Sequence, residues 1–200
     1  METIAQRYRR RADAVVRLVA GVDPARWAGP SPCAAWTARA GVDHLVMMHG
    51  ARLGPLGRAP SPAPAVADDP LAAIASAVGD VTAVLDDPVL AATTCTSPAG
   101  TMTAARQIDE VLSDDLVVHA WDLARATGQD DVMDPDDVAR LWASTTAIPT
   151  EVMATFRTPG AFGPGIEVYG PEVVVPEDAR LQDRLLGLLG RDPRWVPAIR

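Results

Sequence analysis

The most constraining stretch of this chain is residues 103–127. Ile108, Val111 or Leu112, Leu116 and Leu123 recur there at helical spacing, and Gly128 follows as a stop. On or beside that apolar stripe stand Asp115, His119 and Asp122, four and three residues apart. Side chains at those spacings meet on one helix face. Burying carboxylates and an imidazole without partners costs on the order of several kcal/mol. A core helix that carries them must compensate them, and a metal ion is the leading compensator.

The rest of the chain reads as a helical frame for that segment. Residues 2–21 place Ile4, Tyr8, Ala12, Val15 and Val19 at helical spacing, with the basic run Arg7–Arg11 read as a solvated face. Residues 27–37 hold two prolines, a glycine and two tryptophans, a non-helical loop anchored by aromatics. Thr37 suits the N-cap of a second helix over 38–52. The proline-rich stretch 54–69 reads as an exposed connection, and Pro70 opens a third helix over 70–85 with Leu71, Ile74, Val78, Val81 and Leu85 inward. Residues 93–96 and 101–103 flank Ser97-Pro98-Ala99-Gly100, a type I turn pattern that predicts a hairpin. Beyond residue 128 the pattern predicts helices from the Asp134–Asp137 cluster to about 147, at 151–156 and at 178–189, with extended pieces at 166–169 and 172–175. The 200 residues fit one domain, with the bundle over about 1–128 and an extension over about 129–200.

Composition narrows the function classes. A hydrophobic fraction of 48% with only 4% aromatics suits close-packed helices, and a net charge of -8 argues against nucleic acid. No run reaches a membrane span, the N-terminus lacks a signal-peptide core, and two cysteines are too few for a disulfide framework. A reduced cytoplasmic chain is the simplest setting.

Zinc and related metals take imidazole nitrogen and carboxylate oxygen, three protein ligands sufficing where one position stays open. Asp115 and His119 supply two from one helix, and a neighbouring helix can supply a third. His44 and His49 both lie on the second helix, about 140° apart, so one alone can join them. His44, among Val42, Leu45 and Met48, is the better candidate; His49, before Gly50, is placed toward the solvent end. Asp122 is read as an acceptor that orients an imidazole, with an i,i+3 pair to Arg125 as the alternative. An Asp115–His119 pair satisfied by hydrogen bonds alone is the plainest competing reading.

Two stretches carry a resemblance. Pro30-Ser31-Pro32-Cys33-Ala34-Ala35-Trp36-Thr37-Ala38-Arg39, followed by Asp43-His44-Leu45-Val46, resembles the first motif of the DinB-like bundle family. The closer branch is that of the metal-binding domain of mycothiol-dependent maleylpyruvate isomerase. The segment from Asp115 to Gly128 resembles its second motif, and the ending from Asp183 to Trp195 is similar to small actinobacterial members. The resemblance implies a mostly α, up-and-down four-helix bundle with extra C-terminal helices and short extended segments. It implies a divalent metal held by His44, Asp115 and His119, with Asp115 standing where the isomerase has glutamate. The tail is too short to replace the separate C-terminal domain of the full isomerase.

Three functions are weighed. The first is a metal- and thiol-dependent transferase or isomerase using mycothiol as cosubstrate, with zinc preferred and nickel, iron or manganese as alternatives. Asp122 is its candidate base, and Cys33 and Trp36 are its candidate thiol or substrate pocket. The second is a non-catalytic stress or regulatory bundle that binds a metal or small ligand, with a homodimer left open. The third is a helical domain without a metal. In each the expected partner is a small molecule, not nucleic acid or membrane.

Overall fold

The computed structural model describes residues 2–34, 36–97, 100–161 and 168–197. Close contacts divide the chain into two compact units, one of Met1–Ser31 with Ala35–Asp131, the other of Pro32–Ala34 with Val132–Arg200. The protein is mostly helical, and the expected hairpin is the one sheet among the described residues.

In the first unit α1 spans Ile4–Ala20, opened by a capping box between Thr3 and Gln6. It buries Tyr8, Ala12, Val15 and Val19. Helix α2, Ala38–Leu53, starts at Thr37, whose hydroxyl accepts from the Ala40 N–H. Helix α3, Pro70–Asp86, is capped by Asp69 with proline in its first turn. Its buried face is Ala73, Ile74, Ala77, Val81 and Val84, while Leu71 is exposed. Ile74 and Val81 are inward as expected and Val78 and Leu85 pack against the core, while Ala73, Ala77 and Val84 join them in place of Leu71. A short helix α4, Pro88–Ala92, follows on an Asp87 cap. Strands β1, Thr94–Ser97, and β2, Gly100–Thr103, pair antiparallel, Thr94 opposite Thr103. The type I turn expected at 97–100 lies partly outside the described residues.

The segment expected as one helix over 103–127 is three pieces in right-handed continuity. Helix α5, Ala104–Gln107, leads into a π turn, Ile108–Leu112, and then into α6, Ser113–Thr127. Gly128, at φ 74°, closes it in the left-handed region. Ile108, Leu112, Leu116 and Leu123 are buried as the stripe required.

Contacts give the directions. Arg7 meets Asp109, Arg11 meets Asp114, and Gln129 donates to the Leu18 carbonyl, so α1 and α6 run parallel. His44 meets Asp115 while Trp36 meets His119, so α2 runs against α6. Arg9 near the start of α1 reaches Asp86 at the end of α3, making those two antiparallel. The four run up, down, down, up, and the connection after α2 carries the chain back to the level where α3 begins. That connection is exposed apart from a few residues, of which Val66 is buried. No helix among the described residues is long and apolar enough to cross a membrane.

The basic run of α1 is solvated only in part: Arg9 and Arg10 keep 40% and 38% side-chain exposure, whereas Arg7 and Arg11 turn inward. Arg7 donates twice to Asp109, Nε to Oδ1 and Nη2 to Oδ2, both at 2.9 Å. Arg11 is buried and donates to the Ser113 hydroxyl at 3.0 Å and Asp114 at 2.7 Å. These pairs tie α1 to the π turn and first turn of α6, the segment that leads into Asp115.

In the second unit α7, Pro135–Thr146, is capped by Asp134, α8 spans Thr150–Phe156, and α9 spans Leu181–Leu188. Helices α7 and α9 pack together. Residues 172–175 take no sheet pairing, and the piece expected at 166–169 lies partly outside the described residues.

Asp109→Ala leaves Arg7 without its fork partner. It should cost about 2–3 kcal/mol, at the low side of breaking a buried pair, in urea unfolding. Replacing both residues by Met and Leu should recover most of that loss.

Candidate metal centre

Three side chains converge between α2 and α6. His44 Nε2 lies 2.9 Å from Asp115 Oδ2, and His119 Nε2 lies 3.2 Å from Asp115 Oδ1. One ligand atom from each of the three can be chosen so that all lie within 4.8 Å of one another. The Asp115–His119 spacing of four residues puts both on one helix face, and the antiparallel partner brings His44 across. His119 is buried, whereas His44 and Asp115 keep 20% and 23% side-chain exposure. The cluster therefore has one edge toward solvent.

Asp122 completes the set. His119 Nδ1–H donates to Asp122 Oδ2 at 2.9 Å, and both groups are buried. Arg125, the partner in the alternative reading, meets Asp131 at 2.7 Å. With Nδ1 committed to Asp122, Nε2 is the nitrogen presented to Asp115 and His44.

Trp36 covers the two imidazoles. Its ring lies 4.7 Å from His44 and 5.4 Å from His119, nearly parallel to the latter at 25°. A short backbone bridge holds it there, Pro30 pairing with Thr37 and Ser31 N–H donating to the Trp36 carbonyl at 3.0 Å. Beside it, Ser31, Trp36, Thr37, Gly41, His119 and Asp122 line a recess about large enough for one water. Ser31 and Gly41 were not singled out in the sequence, and Thr37 only as a helix cap, because an irregular loop does not show which residues its bridge turns inward. Cys33 is half-buried, in no disulfide, and belongs to the other compact unit; Cys95 is buried.

His49 departs from expectation. It is fully buried, not at a solvent end, because α2 continues to Leu53 past Gly50. Its Nδ1–H donates to the Leu45 carbonyl at 2.6 Å, and its ring lies 6.1 Å from Tyr8. It does not join the cluster of His44, Asp115 and His119.

Charge separates the histidines. Burial alone would lower His119, but Asp115 and then Asp122 outweigh it and raise the imidazole to about 9. Burial likewise opposes the Asp115 charge, yet His119 and His44 hold that carboxyl far below the usual carboxylate range. At His49 burial outweighs the Leu45 carbonyl and Asp115 and lowers the imidazole to about 4. Without a metal, the centre is an imidazolium between two carboxylates.

The donor set fits a divalent cation. Bonds of about 2.0–2.1 Å at tetrahedral angles separate ligand atoms by about 3.3 Å. The 2.9 and 3.2 Å contacts fall on different oxygens of Asp115, and one donor atom from each residue lies within 4.8 Å of the others, so the set would close on a cation with a modest shift.

Residues 8–124 match the model of the mycothiol maleylpyruvate isomerase N-terminal domain, and the chain belongs to that family. Two uncharacterized proteins from two strains of Mycobacterium tuberculosis are each 29% identical over 187 residues, covering 94% of this chain and 97% of theirs. No solved structure matches the chain.

The two shifted histidines contribute to stability in opposite pH windows. His119, raised above its ordinary 6.5, stabilises the metal-free fold fully below pH 6.5 and loses that contribution as pH rises through about 9. His49, lowered from 6.5, contributes above pH 6.5 and loses about 3 kcal/mol as pH falls to about 4. Urea unfolding of metal-free protein should therefore show His119→Gln flattening the alkaline limb and His49→Leu flattening the acidic one.

Proposed function

From membership of that family, we propose that the protein binds a divalent cation, zinc by preference, through His44, Asp115 and His119, and uses it with a low-molecular-weight thiol. The observation that supports this is the convergence of two imidazole Nε2 atoms on one carboxylate at 2.9 and 3.2 Å. When bound, a divalent cation would supply Lewis acidity that lowers the pKa of a thiol or water. The chain's own parts follow from their positions. Asp122 fixes the His119 tautomer and raises its basicity, Trp36 holds both imidazoles in place, and the partly exposed edge at His44 and Asp115 admits a ligand. His119 gives up the Nε2 proton it shares with Asp115 when a cation enters. We place this chemistry in the cytoplasm, with a mycothiol-like molecule as partner.

A second reading is a metal-binding bundle without turnover. The recess beside Trp36, about one water in size, favours it. Thiol consumption with a panel of electrophiles separates the two: loss of rate in His44→Ala supports the enzyme, and equal rates in wild type and variant support the binder.

Metal analysis tests the shared core. Protein purified without chelators should carry about one zinc, or take one up with a rise in melting temperature; His119→Ala should abolish this, and His49→Ala should leave it. A wild type with no bound metal and no thermal shift on adding zinc, nickel or manganese would overturn the reading. Because a proton leaves His119, zinc affinity should rise about tenfold per pH unit between pH 7 and about 9, with proton release in calorimetry. Asp122→Asn should weaken zinc binding by about 10–100-fold.

A further inference from the structure

Arginines in the bundle unit that are withdrawn from solvent have partners, with one exception. Arg7, Arg9, Arg10 and Arg11 meet carboxylates, Arg39 meets the carbonyls of Val66 and Ala67, and Arg125 meets Asp131. Arg52 is half-buried, its Nε is fully buried, and it has no hydrogen bond or ion pair among the described residues. The Nε–H in that state has lost hydration without gaining an acceptor, while the rest of the group is only partly withdrawn from solvent. Burial pulls the guanidinium below its usual range, and the charge that works against this is that of Asp115.

Its position connects it to the metal centre. Arg52 lies two turns past His44 on α2, and helical side chains lean toward the N-terminus, here toward His44. Met48, one turn from each, lies between them and is partly buried against the core. A second unmatched group stands beside it. His49, three residues earlier, is fully buried, its Nε2 has no hydrogen-bond partner, and Arg52's charge acts on it. The α2 side of the centre thus offers an N–H donor and a buried lone pair, both unanswered.

We propose that Arg52 is the anion-recognition residue of this site, taking the carboxylate of an acidic ligand whose other end reaches His44, Asp115 and His119. The proposal rests on the metal reading above. A carboxylate matches one guanidinium in charge and in its two-pronged geometry. A phosphate dianion would exceed the single positive charge and be repelled by Asp115. Water brought in with the carboxylate can donate to His49 Nε2. The preferred substrate or thiol is therefore acidic, with its carboxylate a few bonds from the atom at the metal centre.

The test uses zinc-loaded full-length protein and mercaptocarboxylates of two to five carbons, each against the mercaptoalkanol of equal length, read by calorimetry. Wild type should prefer one carboxylate length about tenfold over its alcohol. Arg52→Gln should lose that preference with alcohol affinity and zinc content unchanged, and Arg52→Lys should keep part of it. Equal binding of acid and alcohol by zinc-loaded wild type, or equal losses of both in Arg52→Gln, overturns the proposal. A metal-free arm keeps the two readings apart, with melting temperature measured in succinate. Protection of wild type but not of Arg52→Gln, in protein that takes up no zinc, retains the anion subsite and discards the metal centre. No protection, together with no zinc uptake, discards both.

Discussion

One carboxylate holds the bundle's polar centre together. Asp115 accepts from His44 across the α2–α6 interface and from His119 one turn along its own helix. Each of these groups would be costly in an apolar core alone. Together, with Asp122 behind His119, they offset one another. Helix directions, the Trp36 cover and the arginine ties from α1 all bear on keeping that carboxylate between two rings.

On the proposed metal reading, proton and cation compete for one place. The His119 imidazolium lies between Asp115 and Asp122 and answers both carboxylates. A cation entering there would have to displace that proton.

Legibility tracked the range of the interaction concerned. Caps at Thr37, Asp69 and Asp134, the stop at Gly128 and the stripe through Leu116 and Leu123 are local, and residues a few positions apart declare them. Helical angle left room for only one of His44 and His49; the choice of His44 rested on placing His49 toward the solvent end, whereas His49 is fully buried outside the cluster. Arg7 and Arg11 looked like surface charges because their partners are 102 and 103 residues away. Leu71 looked like core because hydrophobicity alone does not reveal that the smaller Ala73 and Ala77 take the inward positions. The stacking of Trp36 on two imidazoles depends on a loop bridge that has no periodicity to read.

The π turn at Ile108–Leu112 has a consequence for how this chain tolerates change. A π turn holds one residue more than an α turn in a single hydrogen-bonded ring. The arginine tie at Asp109 lies inside it, and Asp115 lies just beyond, so the turn sets the rotational phase between anchor and ligand. Forcing the same residues into regular α-helix would rotate everything upstream by about 100° relative to Asp115. Either Asp109 would leave Arg7 or Asp115 would leave His44. The centre is thus timed along its helix as much as it is placed in space, and losing one residue at 108–112, which lets the segment become regular helix with its phase kept, should be better tolerated than adding one.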